Sequence, residues 1–240
     1  MNKIPANIIQ LFLADILPAF LTYFFLIISS NYTNLDIIGI TGVLISTSLI
    51  FSSISNFEMG VGMKRYLGKY SNENNWLAYK QTTFATLFFI SLTSLITILL
   101  LWNPFYNLTA MFGIESKFFI IVSIMIFGAN IQHVLRGVLT SYLKSKAVLI
   151  ATLVGSFSRF PLLVFYFYFD ELNEINISWA YSIFYVTSSI ILIIFVVYCL
   201  NKIKGSAIID CIKNIKIIFK ASIVRWFPTL IGILGSRLGI

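Results

Sequence analysis

Six mainly apolar runs follow one another along this chain, with only short polar stretches between them. They cover residues 8–29, 37–63, 82–102, 118–139, 148–169 and 178–200. A helix rises about 1.5 Å per residue, so ~20 apolar residues cross a hydrocarbon layer about 30 Å thick. Inside such a layer each backbone N–H and C=O must be satisfied within the protein, which leaves helices as the natural solution for separate runs of this length. The expected fold is therefore all-α and polytopic, with six transmembrane helices and the start of a seventh opening near Ile223 and running to Ile240. Composition agrees. The chain is 58% hydrophobic and 11% charged, against about 25% charged in a soluble domain.

The charges give the runs a direction. Lys64, Arg65, Lys69 and Lys80 follow the second run. Arg136, Lys144 and Lys146 lie between the fourth and fifth, and Lys202, Lys204, Lys213, Lys216, Lys220 and Arg225 follow the sixth. The opposite connections hold Asp36, then Glu115 with Lys117, then Asp170, Glu171 and Glu174. Lys and Arg close to a membrane helix stay on the cytoplasmic side. This predicts a multi-pass protein of the cell membrane with a cytoplasmic N-terminus. Three Asn-x-Ser/Thr sequons, at Asn31, Asn107 and Asn176, fall in connections placed outside. The net charge of +8 belongs to cytoplasmic loops, with no compact basic domain to hold nucleic acid.

The domain division follows. Residues 1–200 form a six-helix lobe. Residues 201–222 alternate lysines with Ile208, Ile209, Ile212, Ile215, Ile217 and Ile218, which suits a basic amphipathic linker on the cytoplasmic leaflet. Residues 223–240 begin the seventh helix. The first run carries Asp15 and Pro18 and lacks a small-residue cleavage site, so it is expected to be retained. Cys199 and Cys211 read as free thiols. No residue cluster provides a metal or cofactor site, no Walker loop is present, and no Ser/His/Asp set suits hydrolysis.

Polar groups inside the apolar runs are the candidates for function. The second run is loaded with Thr41, Ser46, Thr47, Ser48, Ser52, Ser53, Ser55 and Asn56. Such groups serve close helix packing or line a watery cleft. Arg159 sits near the middle of the fifth run, Asp15 in the first and Glu58 in the last third of the second. Arg237 lies in the seventh. A central arginine costs about 2.5–3.5 kcal/mol on insertion scales and therefore faces a partner or a cavity. Two readings stand. In one, Asp15 or Glu58 pairs with Arg159 and locks the bundle. In the other, Arg159 and Arg237 line a cavity for an anionic head group such as a diphosphate, and Asp15 or Glu58 takes up a coupling proton or cation. His133, the only histidine, beside Gln132 and Asn130, reads as hydrogen-bonded structure.

Four places carry a resemblance to a family. The first is the short turn from the opening helix into Ile38-Gly39. The second is the stretch from Phe57-Glu58-Met59-Gly60-Val61-Gly62 through Arg65-Tyr66 to Tyr70. The third is Arg136-Gly137, then Lys144-Ser145-Lys146 and the internal Arg159. The fourth is Trp226-Phe227-Pro228 with Gly235-Ser236-Arg237-Leu238-Gly239. Together they resemble the polysaccharide (Wzx-like) flippases of the multidrug/oligosaccharidyl-lipid/polysaccharide exporter superfamily.

That resemblance implies a MATE-like transporter of two six-helix lobes around a central cavity, of which this chain is the N-terminal lobe. Its partners would be a polyprenyl-diphosphate-linked oligosaccharide, membrane lipids and a C-terminal lobe of the same protein. Arg159 and Arg237 would hold phosphate, Ser52 and Asn56 would meet sugar, and Asp15 and Glu58 would couple ions, without catalysis or cofactor. A multidrug/cation antiporter with Asp15 as the cation site is the nearest rival. A membrane enzyme on lipid-linked sugars, using Asp170, Glu171 and Glu174, is the other. The chain is expected to be a piece of a longer protein, or a half-size form that dimerises.

Overall fold

A computed structural model describes residues 3–112, 117–169, 172–205 and 211–238. Among these residues the chain forms nine helices: α1 (Lys3–Tyr32), α2 (Leu35–Asn56), α3 (Met59–Asn72), α4 (Trp76–Phe112), α5 (Phe118–Ser141), α6 (Ser145–Phe157), α7 (Arg159–Tyr168), α8 (Glu174–Leu200) and α9 (Cys211–Leu238). Six stretches are long and apolar enough to cross a membrane, with α6 and α7 together making the fifth. This is the all-α, multi-pass architecture that the apolar runs predict.

Each boundary has a local cause. The α5–α6 turn is closed by the Lys144 N–H on the Leu139 carbonyl (2.9 Å) and the Leu143 N–H on that of Thr140 (3.1 Å). Leu143 takes the left-handed conformation (φ 55°) that this C-terminal motif requires. The same motif ends α3, with Asn74 at φ 55°. Asn173 caps α8, its side-chain oxygen accepting the N–H groups of Ile175 (3.1 Å) and Asn176 (2.9 Å).

α5 runs through the middle of the bundle, against α2, α3, α4 and α8. Buried apolar side chains gather in two clusters along it. One holds Met59, Met63, Leu67, Val134, Leu135 and Leu139. The other holds Phe25, Leu44, Phe118, Val122, Met125 and Ile126. The level between them is polar. Large side chains such as Phe20, Phe88, Leu100 and Ile194 point outward from the bundle, the face a lipid solvent demands.

Four sequence expectations change. The second run is not one helix through residue 63. It stops at Asn56, and Phe57 (φ 49°) and Glu58 (φ 53°) both turn left-handed before α3 starts. Residues read as a basic loop therefore form an amphipathic helix. The third run does not close at Asn103-Pro104, since α4 continues to Phe112. Membrane helices tolerate an internal proline where surrounding groups meet the freed backbone. Asn31, Asn107 and Asn176 accordingly lie within helix ends rather than loops. Finally, α9 passes without interruption through the expected linker boundary at 222/223. It is held by packing. Ile218 and Ser222 are buried, and Trp226 Nε1 donates to the Ser53 carbonyl (2.8 Å). Asp170 and Glu171 lie outside the described residues.

Candidate functional site

The polar level opens into a cavity of about 430 Å³. Its wall draws on six helices, with Ile233 the contribution of α9, and on the α2–α3 break. Asp15 and Pro18 come from α1, Ser52, Ser53 and Asn56 from α2, and Gln132, His133 and Arg136 from one face of α5. Thr152 comes from α6, Phe184 and Tyr185 from α8, and Glu58 from the break. Residues three and four apart share a helix face, so these short polar spacings on α2 and α5 are enough to line one side each.

Two acid–base pairs stand in this wall. Arg136 Nη2 donates to Asp15 Oδ1. The Asp15 side chain is 65% exposed and that of Arg136 28%, so the pair faces open space. Glu58 Oε2 lies 3.6 Å from His133 Nε2, with the Glu58 side chain only 13% exposed. Glu58 sits two residues beyond the end of the second span. The imidazole beside it holds its carboxyl below the ordinary value of 4.5, against the opposite effect of its burial. Lys64 and Arg225 act on Glu58 in the same sense, and Lys64 is also within electrostatic reach of Asp15.

This arrangement goes against the first of the two readings of Arg159, an ion pair with Asp15 or Glu58. Nor is Arg159 among the cavity-lining residues that the second reading needs. Neither carboxylate reaches it, because α5 presents His133 and Arg136 one turn apart to Glu58 and Asp15. Arg159 is instead enclosed by aromatic rings. Its guanidinium carbon lies 4.2 Å from the Tyr181 ring centre and 4.5 Å from that of Phe184, and Nη1 donates to Thr22 Oγ1 (2.5 Å). It is 1% exposed. Among the described residues its Nε has no hydrogen-bond partner. Arg159 thus stands one layer behind the cavity, its charge balanced by ring faces and a hydroxyl. The side chain of Arg237, on α9, lies outside those described.

Ser52 and Asn56 do reach the cavity, each with a second duty. Ser52 Oγ donates to Asn130 Oδ1 (2.6 Å), and Asn130 Nδ2 donates to Ser55 Oγ (2.6 Å) and Ser94 Oγ (2.7 Å). Asn130 is wholly buried, and this knot ties α2, α4 and α5. Asn56 Oδ1 accepts the Glu58 N–H (2.7 Å) and so holds the left-handed break in place.

Sequence reasoning missed Arg136, which it placed in a connection, and took His133 as structure alone. Their signal was the spacing on α5, with Gln132 and His133 one turn before Arg136 on one face of a mainly apolar helix. Among the described residues no group of three His, Cys, Asp or Glu side chains could hold a metal ion. Comparison with protein-family models, with curated proteins and with solved structures finds no match for this chain. The fold and cavity define a class, the multi-pass helical membrane protein with a polar, charge-paired interior.

Proposed function

We propose that this protein is a membrane transporter that flips a polyprenyl-diphosphate-linked oligosaccharide across the cell membrane by alternating access. In this reading it is the N-terminal six-helix lobe of a two-lobe exporter of the Wzx-like type, and it supports cell-surface polysaccharide synthesis. The observation that carries the reading is the cavity. A chain this apolar keeps Asp15, Arg136, Glu58 and His133 together beside Ser52, Asn56 and Gln132 in one recess. Ionisable groups inside a membrane bundle mark a pathway for polar cargo.

The chemistry follows from the pairs. Arg136 offers guanidinium donors that match a phosphate. A diphosphate arriving at Arg136 competes with Asp15 and releases its carboxylate, which then takes a proton or cation. Ser52, Ser53, Asn56 and Gln132 offer hydrogen bonds to sugar hydroxyls. Arg159, behind Phe184, adds positive potential at that end of the cavity. The lipid tail stays in the bilayer, while rocking against a second lobe exposes the recess to the other side.

A test uses the product of the complete reading frame in proteoliposomes. The probe is a fluorescent polyprenyl-diphosphate oligosaccharide, and an impermeant reductant reads its passage between leaflets. Wild type is expected to exceed protein-free vesicles. Arg136→Gln is expected to slow passage about tenfold or more, the loss of one charge-assisted contact. Wild-type vesicles no faster than empty ones, or Arg136→Gln equal to wild type at equal protein, would overturn the reading. The two carboxylates sharing one cavity favour a second reading, a cation or multidrug antiporter. Export of a cationic dye that Asp15→Asn abolishes, with no flipping of the sugar lipid, would select it.

A further inference from the structure

A second recess lies outside the polar cavity, on the lipid-facing side of α5, α6 and α8. Its volume is about 460 Å³, within the range of a small-molecule site. Leu139, Ile150, Ile194 and Phe195 give it an apolar wall, with Cys199 beside them. Lys144 and Lys146 stand at its end, placed there by the left-handed Leu143 turn that starts α6. A third lysine approaches from the turn after α8. Lys202 Nζ donates to the hydroxyl of Tyr198 (3.1 Å), a groove residue, and lies 4.3 Å from the ring centre. Lys144 and Lys202 both lie close enough to Cys199 to act on it electrostatically.

From this juxtaposition we infer that the groove is a binding site for an anionic glycerophospholipid. An acyl chain fills the apolar channel, and the phosphate is held by Lys144, Lys146 and Lys202 at the start of α6. Three arguments converge. The channel opens where lipid tails already are, so filling it costs no exposure of apolar surface. Two ammonium groups on the rim, and a third beside it on the Tyr198 hydroxyl, complement a phosphate, and each is worth about fivefold in affinity near an anionic membrane surface. The N-terminus of α6 adds its positive dipole end. A zwitterionic lipid satisfies the channel equally and loses the rim. The site is separate from the cargo cavity, so it stands or falls independently of the transported substrate.

Native mass spectrometry of the detergent-purified protein tests this. It would be titrated with phosphatidylglycerol and with phosphatidylcholine of the same chains. Wild type is expected to retain phosphatidylglycerol preferentially. The triple variant Lys144→Gln/Lys146→Gln/Lys202→Gln is expected to lose that preference about tenfold or more. Ile150→Trp, which fills the channel and keeps the lysines, is expected to reduce retention of phosphatidylglycerol as well. A control triple, Lys69→Gln/Lys216→Gln/Lys220→Gln, removes the same charge elsewhere and is expected to behave as wild type. Any of three results would overturn the site. These are full preference in the groove triple, equal loss in the control triple, or unchanged retention in Ile150→Trp.

Discussion

Asn130 spends both amide hydrogens and its oxygen on Ser55, Ser94 and Ser52, three hydroxyls from two other helices. Inside a membrane such bonds average under about 1 kcal/mol each, because the separated helices also find partners. Orphaning a buried polar group costs more than its bond contributes. Asn130→Ala is therefore expected to destabilise the bundle by about 1–2 kcal/mol. Ser123→Ala, whose hydroxyl only returns to the Phe119 carbonyl of its own helix (2.8 Å), is expected to stay within about 0.5 kcal/mol. Thermal unfolding of the two purified variants in one detergent decides this, and equal melting temperatures would remove the knot from the account. Glu58 makes a prediction in pH. Its carboxyl is held below 4.5 by His133, so the folded state favours the ionised form. The stability this contributes is present above the ordinary glutamate value and is lost as pH falls through the lower folded value. Wild type is expected to melt above Glu58→Gln at neutral pH, with the gap closing in acid below about pH 4.5. A gap that widens on acidification would reverse the sign and exclude the pairing.

At the scale of the helix, the α2–α3 break shows what a sequence pattern carries and what it does not. The apolar runs mark the six spans because hydropathy is a local property, and the run ends agree with the helices to within a few residues at most boundaries. The break at Phe57-Glu58 carries no Gly or Pro. Two left-handed residues cost about 1–2 kcal/mol each in isolation, and one local side-chain bond together with tertiary contacts selects them. These are the Asn56 side chain on the Glu58 N–H, His133 beside Glu58, and Phe57 against Phe219 and Trp226 at 5.3 Å. For the same reason Asp15 and Glu58 were legible as unusual, but their partners were not. Arg136 and Arg159 look alike in sequence, and only the packing of α5 separates them. The glycines beyond the break explain how α3 docks. A Cβ on Gly60 would stand 2.8 Å from the His133 carbonyl oxygen, and one on Gly137 would stand 2.7 Å from that of Gly60. Gly60→Ala is expected to push α3 off α5 and cost about 1–3 kcal/mol. Gly42→Ala meets nothing within 4 Å and is expected to be neutral or to gain up to about 1 kcal/mol from helix propensity. If thermal unfolding ranks these two variants the other way, the close approach of α3 and α5 is wrong.

Across the whole molecule, the basic connections after the second, fourth and sixth runs meet at one end, while Lys117 and Arg159 lie elsewhere. Tyr79, at the start of α4, donates to the Val138 carbonyl near the end of α5 (2.7 Å). Lys80 donates to the Ile203 carbonyl just past α8 (3.0 Å). These contacts bring the start of α4 and the ends of α5 and α8 to the same face. Both acid–base pairs of the cavity lie toward that face, and so does the lysine-rimmed groove. The six spans therefore predict sidedness without reference to any cargo. Four spans separate residue 69 from residue 202, so the two must share a side. One span separates residue 36 from residue 69, and one separates residue 173 from residue 202, so 36 and 173 must share the other. Loops rich in Lys and Arg are retained in the cytoplasm, which assigns the first pair inside. Single cysteines at Lys69, Lys202, Asp36 and Asn173, in a background with Cys199→Ala and Cys211→Ala, report this through an impermeant maleimide. Positions 36 and 173 are expected to label in intact cells, and 69 and 202 only in inverted vesicles. Labelling of 69 and 202 from opposite sides would break the even count of spans between them, and with it the placement of the paired charges and the lipid groove at one face of the membrane.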